Sequence, residues 1–157
     1  MRYFLITILI IFYSCKLDNE LVSVDEDRVK DILDKMTIEE KIGQMAQINL
    51  TVIAKGPSKW RSFYPLEIDP KRAKKAIVDY KVGSIINTIN GKALETRNWH
   101  QSISEIQKYS VDSTRSRIPI IYGIDGIHGS NYAVGATMFP HQINLAASWN
   151  KENAYNM

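Results

Sequence analysis

Cysteine is nearly absent: the 157 residues hold one, Cys15, beside three histidines. With no second cysteine, no internal disulfide can hold the chain together. Charge of one sign is also lacking. Twenty basic and 17 acidic residues leave a net charge of only +3, and the basic side chains are scattered rather than striped, which argues against nucleic acid as a partner. Glycine (8) and proline (5) are not in excess, and neither an internal repeat nor a low-complexity segment is present. The apolar run over residues 3–13 is shorter than the roughly 20 residues that span a bilayer. What remains is ordinary globular composition, 45% hydrophobic and 24% charged, at a length that allows one domain with a core.

The first 15 residues stand apart from the rest. Arg2 gives a basic start, the apolar run follows, and Ser14-Cys15 closes it. A basic start, a short apolar run and a small residue before a cut describe an export signal. The cysteine sits at the expected cut, and the arrangement resembles a bacterial lipoprotein signal, in which Cys15 is acylated and becomes the new N-terminus. An ordinary signal peptide with an incidental cysteine is the competing reading. Either way residues 1–15 leave the fold, and the polar residues 16–24 read as a tether. The expectation is a protein exported to the periplasm or outer membrane and held to the membrane by lipid.

Periodicity then outlines the folded part. Val29, Ile32, Leu33 and Met36 recur at helical spacing. Thr37 and Glu40 form a capping box, predicting a helix with Ile42, Met45 and Ala46 turned inward. Residues 47–54 read as a strand, 55–58 as a loop, and 59–66 as an irregular stretch with Trp60, Phe63 and Tyr64. Asp69-Pro70 opens another helix, with Ala73, Ala76, Ile77 and Tyr80 on its inner side. Residues 82–86 read as a buried strand, 87–92 as a loop, 94–109 as a long helix carrying Trp99, Ile103 and Ile106, and 119–124 as a second buried strand. A polar loop over residues 125–137 follows, and residues 151–157 open a last helix. Strands alternating with helices predict βαβ units and a parallel sheet, its strands apolar enough for cover on both faces. A barrel and an open doubly wound sheet both fit. A complete (β/α)₈ barrel takes about 250 residues, so this α/β chain holds at most the N-terminal part of one.

The chemistry gathers after the second buried strand, where Gly123-Ile124-Asp125-Gly126-Ile127-His128-Gly129 brings a carboxylate and glycines to a strand's C-terminal end. Parallel α/β proteins carry their sites there. Asp125 can accept hydrogen bonds from two sugar hydroxyls; it can equally cap the next turn or bind loop amides. Gly126 and Gly129 would let a ligand approach the backbone. His128 has no nucleophile beside it and is expected to brace the loop. His141, after Phe139-Pro140, is expected to support the site through hydrogen bonds rather than by direct contact. His100 lies mid-helix as a surface or packing residue. The spacing of His128 and His141 matches no standard zinc motif, so no metal site is expected. Of Trp60, Trp99 and Trp149, Trp60 is the best placed to stack on a sugar ring.

Four ordered stretches carry a resemblance: Met36-Thr37-Ile38-Glu39-Glu40-Lys41-Ile42-Gly43-Gln44-Met45, Val82-Gly83-Ser84-Ile85, residues 118–129, and Gly135-Ala136-Thr137-Met138-Phe139-Pro140-His141-Gln142-Ile143. Together they resemble glycoside hydrolase family 3 over residues 29–157. The resemblance implies a (β/α)₈, TIM-type first domain, incomplete here, and hydrolysis of terminal β-D-glucosyl residues with retention of configuration. Such a reaction uses a nucleophile and an acid/base carboxylate about 5–5.5 Å apart. The family's motifs for both are missing, as are its Lys-His pair and Arg that hold the same sugar, so no catalytic residue is expected within this chain. What carries over is Asp125, matching the Asp that binds hydroxyls of the terminal sugar, with Gly126, His128 and Gly129 around it. Residues 125–129 resemble the β-glucosidase and exo-glucan branch rather than the N-acetylglucosaminidase branch. The implied partner is a β-glucoside or oligosaccharide, with no cofactor. The alternative is a sugar-binding or vestigial fragment without catalysis.

Overall fold

The computed structural model of the protein describes residues 25–156, which divide after Lys35 into two compact units. Cys15, the signal-like run and the tether lie outside the described residues. The first unit contributes helix α1, Glu26–Lys35. Its acidic first turn and basic last turn suit the helix dipole, and Lys30–Asp34 and Lys35–Asp31 pair along its surface at 2.9 and 2.6 Å.

The second unit opens with α2, Ile38–Gln44, and the expected capping box is present. The Thr37 hydroxyl accepts from the Glu40 amide at 3.2 Å, and the Glu40 carboxylate accepts from the Thr37 amide at 2.8 Å. The inward face differs from the expected one. Glu40 and Gly43 are buried, whereas Ile42 and Met45 are 59% and 84% exposed. The reason is a backbone-to-backbone approach. A Cβ on Gly43 would stand 2.4 Å from the Lys81 carbonyl oxygen, and one on Gly83 would stand 2.4 Å from that of Gln44. A helix this close to its neighbour must turn glycine inward, and its large side chains rotate out.

Three parallel strands follow, β1 (Gln47–Asn49), β2 (Ser84–Ile86) and β3 (Ile121–Gly123), in the order β1-β2-β3. The stretch expected to be strand over residues 47–54 ends early. Asn49 Oδ1 accepts from the Thr51 amide at 3.0 Å, and Leu50–Val52 closes into a 3-10 turn, a local bond that competes with the ladder. Between β1 and β2, Asp69 caps α3, Pro70–Ala73, accepting from the Lys71 and Arg72 amides at 2.9 and 3.1 Å. The helix then widens into a π turn, Lys74–Asp79. Ala73, Ala76 and Ile77 are buried as expected, but Tyr80 is exposed, because the π turn breaks the 3.6-residue spacing that would bring it under Ile77. Between β2 and β3 runs α4, Thr96–Ser113.

Ile48, Ile85 and Tyr122 share one row of the register. That face meets the core of Leu50, Ile53, Ile77, Leu94 and Ile106. The other face is covered only in part: Ser84 and Ile86 are half-buried there, but at β3 Ile120 is buried while Ile121 is 73% exposed. Cover on both faces therefore does not hold for β3 among the described residues. Neighbouring residues on a strand point to opposite faces, and the core lies on one. After β3 come the polar loop, α5 (Gln142–Ala147) and α6 (Lys151–Asn156). Sequential parallel strands with helices between them form the opening of a (β/α) barrel, incomplete in this chain.

Candidate functional site

The loops after β2 and β3 lie side by side, because their strands are adjacent and parallel. Asp125 is exposed just beyond β3. Its Oδ2 accepts from Asn87 Nδ2 at 2.8 Å, and its backbone amide donates to Asn87 Oδ1 at 2.9 Å. No cation pairs with its carboxylate among the described residues. Asn87 adopts a left-handed backbone, φ 68°. Its amide donates to the Gly123 carbonyl at 2.9 Å, and its carbonyl accepts from the Tyr122 hydroxyl at 2.6 Å. Burial pushes the Tyr122 pKa up, which keeps that hydroxyl protonated and donating.

The rest of the loop is braced from within. The Ile127 amide donates to the Asp125 carbonyl at 2.9 Å, and the Gly129 amide to that of Gly126 at 3.2 Å. His128 Nδ1 lies 2.9 Å from the Phe139 carbonyl oxygen, while the Phe139 amide donates to the His128 carbonyl at 3.1 Å. His128 thus joins the two ends of the loop. Gly129 has φ 74°, and a Cβ there would meet the Phe139 ring at 2.9 Å. His141 caps α5, its Nδ1 accepting from the Ile143 amide at 3.1 Å, which puts its proton on Nε2. Its ring meets that of His128 edge-on with centroids 5.5 Å apart. Gln142 Nε2 donates to the Gly126 carbonyl at 3.2 Å.

Trp99 clamps the far side of the loop. Its Nε1 donates to the Tyr132 carbonyl at 3.0 Å, and its ring meets Tyr122 edge-on at 5.6 Å. Trp60 and Trp149 are exposed, and His100 is exposed on α4. Asn90 binds both backbone groups of Ser62, at 3.1 and 2.7 Å, and so ties the aromatic stretch to the loop after β2. No group of three or more His, Cys, Asp or Glu is placed to hold a metal ion among the described residues. The residue that sequence reasoning missed is Asn87. Its signal was an asparagine directly after an apolar strand, one of the few non-glycine types that tolerate a left-handed backbone.

Sequential parallel strands with a polar site loop at their C-terminal ends place the chain among the parallel α/β proteins, which include the β/α barrels. Residues 37–157 match the family model described as the Glycosyl hydrolase family 3 N terminal domain. The chain is 32% identical over 140 residues to the lysosomal beta glucosidase of Dictyostelium discoideum, covering 85% of this chain and 16% of that protein. It is 33% identical over 123 residues to the periplasmic beta-glucosidase of Salmonella typhimurium, covering 78% and 12%. A putative beta-xylosidase of Formosa agariphila is 27% identical over 159 residues, covering 95% and 19%. The chain belongs to glycosyl hydrolase family 3, whose N-terminal domain is a TIM-type barrel. It spans less than a fifth of the length of each of these relatives.

Proposed function

We propose that this chain forms the first part of the catalytic barrel of a retaining β-glucosidase-type hydrolase and supplies part of the subsite for the terminal sugar. Asp125 accepts sugar hydroxyls there. Gly126 and Gly129 shape the loop around it, and His128 and His141 brace it. The nucleophile and the acid/base come from the remainder of the complete protein. The observation that carries this reading is the exposed Asp125 carboxylate at the end of β3, held by a neutral amide and paired with no cation among the described residues. An acceptor that keeps its charge is suited to hydroxyl donors. Relatives named beta glucosidase support the reaction class.

The test is turnover of an aryl β-D-glucoside by the complete protein. Asp125→Ala is expected to lower kcat/KM by about 100- to 1000-fold, since hydroxyl contacts that tighten in the transition state supply several kcal/mol. Unchanged kcat/KM removes Asp125 from the subsite. Purified 157-residue chain is expected to hydrolyse nothing, and turnover by it would contradict the placement of both carboxylates elsewhere.

The protein is also proposed to be exported and anchored by lipid at Cys15. The signal-like run over residues 1–15, ending in Ser14-Cys15, supports both, and a relative named periplasmic supports export alone.

A further inference from the structure

Asn87 has its main chain anchored without help from its side chain. Its amide reaches the Gly123 carbonyl at 2.9 Å and its carbonyl receives the Tyr122 hydroxyl at 2.6 Å. Both ends of the side-chain amide are thereby left for another task, and both go to one residue. Nδ2 donates to Asp125 Oδ2 at 2.8 Å, and Oδ1 accepts from the Asp125 backbone amide at 2.9 Å. One contact fixes the side chain of Asp125 and the other its backbone. This matters because Asp125 is exposed, and an exposed side chain with no partner moves among rotamers within nanoseconds. An amide donor is suited to the role. A lysine or arginine would hold the carboxylate by neutralising it, whereas a neutral donor leaves its charge and its other lone pairs available.

We infer that Asn87 is the positioning residue that sets the Asp125 carboxylate in the orientation that receives the sugar hydroxyls. The inference rests on the reading of Asp125 as a sugar acceptor. It assigns a role to a left-handed asparagine at the end of β2, φ 68°, that local turn geometry alone does not require. A glycine would take that conformation with less strain, but only an asparagine both takes it and reaches across to the next loop.

The test uses the complete protein and 4-nitrophenyl β-D-glucopyranoside. Asn87→Gly keeps the left-handed backbone and both main-chain bonds and removes only the amide. It is expected to lower kcat/KM by about 10- to 100-fold, the scale of an ångström-sized misplacement, with the melting temperature little changed. In an Asp125→Ala background the same substitution is expected to cost little more, because the carboxylate it orients has gone and only the bond to the residue-125 backbone amide remains to be lost. A loss that multiplies instead would mean that Asn87 acts elsewhere, and it overturns the inference. Asn87→Asp provides a second arm if the glycine variant folds poorly. It keeps the size and the acceptor for the Asp125 amide, but it removes the donor and sets a carboxylate against a carboxylate. Activity at the parent level in Asn87→Asp, or in a folded Asn87→Gly, also overturns the inference. Should Asp125→Ala itself be silent, the sugar-acceptor reading fails and takes the inference with it. A severe Asp125→Ala with a silent Asn87→Gly defeats the inference alone.

Discussion

Gly129 carries two constraints at one residue. Its φ of 74° belongs to the region where side chains are strained, and its Cβ position is occupied by the edge of the Phe139 ring. Gly129→Ala is therefore expected to destabilise the loop by about 1–3 kcal/mol. Activity of the complete protein should fall with it, since Asp125 is tied to the same turn through the Ile127 amide. Urea unfolding followed alongside kcat/KM checks both, and an unchanged midpoint would show that the ring moves aside freely. The sequence singled out Gly129 for ligand approach, and the structure adds a steric and conformational need for glycine at the same position. His128 and His141 each spend a ring nitrogen on a backbone group.

At the scale of elements, α2 is held through its buried carboxylate. The Arg115 guanidinium hydrogen-bonds Glu40, and this bond together with the Thr37 amide holds the Glu40 pKa below its ordinary value of 4.5. A carboxyl whose pKa is depressed by folding adds stability above its unfolded pKa, and that stability is lost as pH falls through the folded value. Stability should thus drop on acidification below about pH 4.5, and drop less steeply in Glu40→Gln. Arg115→Ala should cost about 1–2 kcal/mol at neutral pH. Equal acid slopes for parent and Glu40→Gln in denaturant titrations would disprove the linkage. The close approach of α2 to β2 gives a second prediction: Gly83→Ala drives a Cβ into the Gln44 backbone and should cost about 1–3 kcal/mol by overpacking, read as a lowered melting temperature.

For the whole molecule, exposed apolar side chains and open strand edges among the described residues decide behaviour. Ile121, Met138 and Ile143 are more than 70% exposed, and β1 and β3 are the edges of the described sheet. Exposed apolar surface and unpaired strand edges promote association. The 157-residue chain expressed alone is expected to bind a hydrophobic dye and to scatter light at micromolar concentration. A clear, monodisperse solution would mean that these faces are covered in a way the described residues do not provide. Cys15 belongs to this scale too. On the proposed lipid anchoring, Cys15→Ser in the exporting host should move the protein from the membrane fraction to a soluble fraction, and an unchanged distribution would refute that proposal.

Local chemistry was legible without coordinates. A threonine three residues before a glutamate specified the start of α2, Asp69-Pro70 specified the start of α3, and apolar runs between helical periods specified parallel strands. The signal came from bonds between near neighbours, which any chain with those residues can make. The four ordered motifs likewise placed the chain in its family and pointed to the Asp125 loop. Tertiary structure alone decided which side chains are covered. Ile42, Met45, Tyr80 and Ile121 have inward periodicity, yet they stand outside, because burial depends on the element packed opposite. It also decided what orients the carboxylate. Asn87 and Asp125 are 38 residues apart in the chain, and only the parallel pairing of β2 with β3 brings them within hydrogen-bond reach.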